Sequence, residues 1–104
     1  MEINLKQYKE DLVDFIGNKI NSRLLCDTGA DLAVFTFTHP VSENIKDMLI
    51  IKYDNFDEAY DITLSYDING CQIDWSSPIF TERSLKYILQ ELEDVMTYWE
   101  HQFN

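Results

Sequence analysis

Residues 61–75 read Asp61-Ile62-Thr63-Leu64-Ser65-Tyr66-Asp67-Ile68-Asn69-Gly70-Cys71-Gln72-Ile73-Asp74-Trp75. Two runs in which apolar and polar residues alternate flank Asn69-Gly70, the dipeptide that best suits a two-residue hairpin turn. With that turn Ile68 pairs with Cys71, Tyr66 with Ile73 and Leu64 with Trp75, and successive side chains alternate sides. One face is then apolar. The other holds Asp61, Thr63, Ser65 and Asp67 on one strand and Gln72, Asp74 and Ser76 on its partner, and the hairpin itself supplies no cation. Asp67 and Asp74 become diagonal neighbours roughly 7–8 Å apart.

Upstream, the period of two continues. Residues 23–27 and 32–38 read as strands joined through Thr28-Gly29-Ala30. The short, nearly continuous apolar run from Met48 to Tyr53 suits a central strand. Helical spacing brackets the sheet. Leu5, Tyr8, Leu12, Phe15, Ile16 and Ile20 recur on one face, with Asn4 as cap, Gln7 at the capping-box position and Ile3 placed to staple Tyr8. At the other end Leu85, Ile88, Leu89, Leu92, Val95, Met96, Trp99 and Phe103 form a continuous stripe behind a Thr81 cap. These signals predict one α+β domain over residues 1–104. It has an N-terminal helix, a four- to five-stranded antiparallel sheet with the Asn-Gly hairpin, and a long C-terminal helix packed on that sheet.

The chain has 104 residues, and its hydrophobic fraction of 45% and aromatic fraction of 13% belong to a folded protein. No apolar run approaches the length of a membrane helix and no charged-then-apolar leader is read, so neither a membrane span nor a secretory leader is expected. Nineteen acids oppose eight bases for a net charge of −11, and the pI is near 4.3. Direct binding to nucleic acid or anionic lipid is disfavoured by that field. Cys26 and Cys71 have no metal-site or scaffold spacing, and reduced thiols in a cytoplasmic protein are expected.

The charge is concentrated. Between residues 53 and 82 lie Asp54, Asp57, Glu58, Asp61, Asp67, Asp74 and Glu82 with no Lys or Arg. An acidic, solvated face serves solubility, yet ordinary surfaces mix both signs. A partner-docking face is therefore the sharper expectation, with Asp54, Asp57, Glu58, Asp61, Asp67 and Asp74 as its charges. Tyr53, Phe56 and Tyr60 are candidate apolar anchors beside them, because binding energy concentrates in aromatics.

Leu24-Leu25-Cys26-Asp27-Thr28-Gly29-Ala30-Asp31 resembles the active-site segment of retroviral-type aspartic proteases. The resemblance implies that Asp27 would pair with its twin across a dimer and share one proton to activate water. It spans eight residues. Cys26 and Ala33 depart from the family pattern, the chain begins with a helix rather than strands, and Gly17, Gly29 and Gly70 are too few for glycine-rich flaps. The Asp54-x-x-Asp57-Glu58-x-x-Asp61 run lacks the alternation and glycine of an EF-hand. Neither a phosphate loop nor a nucleophile motif accompanies His39 or His101. No enzyme, cofactor or metal is expected.

The functional expectation is a binding protein that occupies a basic, nucleic-acid-binding surface on a larger partner, such as a nuclease or another nucleic-acid enzyme. In size and acidity the chain is similar to phage-encoded anti-CRISPR and anti-restriction inhibitors, which implies nucleic-acid mimicry in a bacterial or phage-infected cytoplasm. An immunity protein against a basic bacterial toxin is the alternative. Sequence leaves monomer against dimer open.

Overall fold

Alternation along the strands decides which residues enter the core. The computed structural model describes residues 5–20, 24–38, 46–54, 59–68, 70–77 and 85–102. A 3-10 turn, Leu5–Tyr8, leads into helix α1, Lys9–Ile20. Strands β1 (Leu24–Thr28), β2 (Leu32–Thr38), β3 (Lys46–Asp54), β4 (Ala59–Ile68) and β5 (Cys71–Ser76) follow, and helix α2, Leu85–His101, is the last described element. The five strands lie in chain order, every neighbour antiparallel. The expected α+β architecture is present, with β3 central.

β2 has the bounds the sequence predicts, whereas β3 and β4 each begin two residues earlier than the apolar pattern suggests. The additions are Lys46-Asp47 and Ala59-Tyr60, and their backbone groups join the ladders of β2–β3 and β3–β4. The first helical turn is 3-10 rather than α. The expected caps Asn4 and Thr81, the staple residue Ile3, and Phe103 lie outside the described residues.

Both helices cover the same side of the sheet. Ala33, Phe35 and Phe37 of β2, Leu49, Ile51 and Tyr53 of β3, and Tyr60, Ile62, Leu64 and Tyr66 of β4 form one cluster. Against them pack Leu12 and Ile16 of α1 and Ile88, Leu92, Val95, Met96 and Trp99 of α2. Full burial of such side chains contributes about 1.5–3 kcal/mol each before entropy is subtracted, so this stripe holds α2 in place. Trp99 meets Phe37 edge to face with ring centres 5.3 Å apart. Lys19 and Glu93 link the two helices at the surface through a 2.7 Å ion pair. Half-exposed as it is, that pair adds at most about 1 kcal/mol.

Three backbone bonds tie the β1–β2 turn down. Gly29 N donates to Leu32 O (2.7 Å), Leu5 N to Ala30 O and Tyr53 N to Asp31 O (both 2.8 Å). At the far edge Ser77 extends the β4–β5 ladder, its N–H reaching Ile62 O while its Oγ accepts from Ile62 N. Cys26 and Cys71 are free and sit on strands at opposite edges of the sheet, roughly 19 Å apart at the usual strand spacing. Burial pushes the Cys26 thiol up from its ordinary pKa, only partly opposed by Lys9.

Candidate binding face

Both described helices lie on one side, and among the described residues no element covers the other side of the sheet, the open face. The β4–β5 register is the expected one: Ile68 opposite Cys71, Tyr66 opposite Ile73, Leu64 opposite Trp75. Asn69 lies outside the described residues, and Gly70 has φ +84°. Asp61, Thr63, Ser65 and Asp67 therefore share the open face with Gln72, Asp74 and Ser76.

Hydrogen bonds fix two of the carboxylates in this face, those of Asp67 and Asp74. Gln72 Nε2 donates to Ser65 Oγ (2.7 Å), and that hydroxyl donates onward to Asp74 Oδ1 (2.6 Å). Gln72 also reaches Asp74 Oδ1 at 3.4 Å. Asp67 Oδ1 accepts from Gly70 N (3.1 Å), so this charge helps to close the turn. Thr63 and Ser76 hydroxyls meet at 3.3 Å. A donor relay that ends on a carboxylate holds the charge in one place and leaves its second oxygen for a partner.

The strand beside the hairpin modifies the expected electrostatics. β3 sets Lys52 directly across from Asp61. Lys46 lines a recess of about 220 Å³ together with Met48, Ser65, Asp67 and Gln72. Cations thus border the acids on the β3 side, while Asp74 faces Ser65 across the ladder at the outer edge. Asp54 ends β3, exposed.

Two of the expected aromatic anchors are not on this face. Tyr53 and Tyr60 are 4% and 2% exposed, paired across β3–β4 with ring centres 6.3 Å apart in the core. The cause is alternation: the parity that turns Asp61 outward turns Tyr60 inward, and Lys52 and Asp54 do the same for Tyr53. Phe56, Asp57 and Glu58 lie outside the described residues.

Composition drew attention to acids and so missed the apolar part of the face. Leu25 and Leu32 are 59% and 41% exposed, and Val34, Met48 and Ile50 point the same way, half-buried. The signal was present in the sequence, since Leu32-Ala33-Val34-Phe35 and Met48-Leu49-Ile50-Ile51 are apolar at both parities. Asp27 is exposed on β1 opposite Val34, and Gly29 closes the turn that follows. Among the described residues no group of three or more His, Cys, Asp and Glu side chains is arranged to hold a metal ion, and no helix is long and apolar enough to cross a membrane.

Set beside known proteins, the chain matches no family model, no curated protein and no solved structure.

Proposed function

We propose that this chain acts by binding rather than catalysis, as a small acidic inhibitor that occupies a basic, nucleic-acid-binding surface of a larger cytoplasmic protein. The observation that supports it is co-facial charge: Asp61, Asp67 and Asp74 lie on the open side of one hairpin, opposite the helices. Lys52 stands opposite Asp61 and Lys46 shares a recess with Asp67, so the outer-edge Asp74, set against Ser65 and Gln72, is the acid the β3 cations border least. A groove lined with Lys and Arg for phosphate groups meets carboxylates there instead, and long-range attraction speeds the encounter. The hydrogen-bonded Asp74 adds preorganisation, which lowers the ordering cost of association.

A competition assay tests this reading. Immobilised chain is offered a panel of basic nucleases with and without duplex DNA, at salt from ~50 mM to ~200 mM. The expected result is capture of at least one enzyme, inhibition of its cleavage, displacement by DNA and affinity that falls with salt. Capture that DNA does not displace, or affinity indifferent to salt, overturns the proposal.

A further inference from the structure

Charge mimicry does not use the apolar half of the open face, because a phosphate track presents charge and no comparable apolar strip to the protein that binds it. Strands apolar at both parities belong to sheets covered on both sides. β2 and β3 carry that pattern, yet both described helices lie on one side. The register sets Leu25 beside Thr36 and Thr36 beside Met48, with Val34 beside Ile50 in the next row, so these side chains form one continuous strip over β1–β3. The acids and hydroxyls of β4–β5 adjoin it.

We infer that the strip and the acidic hairpin are one docking surface, and that its occupant is a cationic amphipathic segment of a partner protein. Apolar side chains of that segment seat on Val34, Met48 and Ile50, and its Lys and Arg residues lie over Asp67 and Asp74. Lys46 and Lys52 flank Met48 and Ile50 and bound the strip along β3. Cations of the partner are thereby turned to the β4–β5 side. Charge selects this occupant over a second copy, since two chains of net −11 repel each other. The inference rests on the acidic-binder reading and names the partner chemistry.

The test uses two synthetic peptides of about 18 residues, equal in charge: a Leu/Lys amphipathic helix and a Lys/Ser control. Calorimetry at low salt is expected to give about tenfold tighter binding of the Leu/Lys peptide. Shifts of the Met48 and Ile50 methyl resonances should accompany that peptide alone. Met48→Thr with Ile50→Thr keeps strand-compatible residues and should bring its affinity down to the control value. Asp74→Asn should weaken both peptides. Equal affinity for the two peptides, or undiminished Leu/Lys binding by the threonine variant, overturns this inference and leaves the acidic reading standing. Failure of both peptides to bind at low salt removes both. Self-association of the chain that the threonine variant abolishes would assign the strip to a second copy and overturn the inference too.

Discussion

Trp99 of α2 donates its indole Nε1–H to Oδ2 of Asp47 on β3 at 2.8 Å, across 52 residues of chain. The carboxylate is fully buried, and Asp47 stands opposite Phe37 in the β2–β3 register, the ring against which Trp99 packs. Helix, sheet and a buried acidic side chain therefore meet at one point. Among the described residues no buried side-chain polar atom lacks a hydrogen-bond partner. A buried carboxylate is tolerated only on that condition.

Trp99→Phe keeps an aromatic ring against Phe37 and removes one donor from a buried acid. We expect it to destabilise the chain by about 2–4 kcal/mol, combining the buried acceptor left without this donor with the smaller ring. Asp47→Asn retains an acceptor for the indole and should cost less. Urea denaturation of both variants checks this, and a Trp99→Phe variant within about 0.5 kcal/mol of the parent would show that the bond contributes nothing.

Asp74 and Ser65 separate charge from preorganisation. Asp74→Asn preserves an acceptor for the Ser65 hydroxyl, so stability should stay within about 0.5 kcal/mol while partner affinity falls and its salt dependence flattens. Ser65→Ala keeps the charge and removes the relay that holds it. Its affinity should fall by less, with the salt slope unchanged. Titration calorimetry at two salt concentrations distinguishes them; identical slopes for parent and Asp74→Asn would remove Asp74 from the binding face.

The hairpin register was legible because turn chemistry and period-two alternation agree there, and Ile68 opposite Cys71 follows from both. The same alternation carries Tyr60 into the core once Leu64 and Tyr66 are placed inside, so its burial was also within reach of the sequence. Lys52 opposite Asp61 was not, because the β3–β4 register depends on a longer connection with no single preferred turn. Asp47 reads locally as a charge preceding an apolar run. Only Trp99, distant in sequence, explains its burial. Which side of β3 the helices cover likewise depends on long-range packing, since Met48-Leu49-Ile50-Ile51 is apolar at both parities.

Alkaline pH should loosen the contact between α2 and the hairpin. Tyr66 and Tyr98 share a 2.9 Å hydroxyl–hydroxyl hydrogen bond, and Trp75 stacks on Tyr98 with ring centres 5.4 Å apart. Burial, reinforced by the hydrogen bond with Tyr98, pushes the Tyr66 phenol up from 10.0 to about 12. The folded state then keeps a proton that the unfolded chain releases first. The stabilisation is complete below about pH 10 and is lost as pH rises towards 12. Urea midpoints measured across that window should fall for the parent and fall less steeply for Tyr66→Phe. Equal slopes would place the alkaline sensitivity elsewhere.

One substitution at two glycines should have opposite signs. Gly17 lies within α1, and a Cβ built there meets nothing within 4 Å. Gly17→Ala therefore gains helix propensity without a clash, and we expect about 0.5–1 kcal/mol of added stability. At Gly70 the surrounding space is equally open, but φ is +84°, in the region where a side chain strains against its own backbone. Gly70→Ala should cost about 1–2 kcal/mol for that reason alone. Asp67 Oδ1 accepts from the Gly70 N–H, so a shift of this residue also loosens one acid of the open face. Thermal melts of the two variants, compared with Gly70→Asn, which tolerates positive φ better than alanine, decide the matter. Stabilisation by Gly70→Ala would mean that the turn does not hold the left-handed conformation in solution, and the β4–β5 register that aligns Asp67 with Gln72 would then lose its anchor.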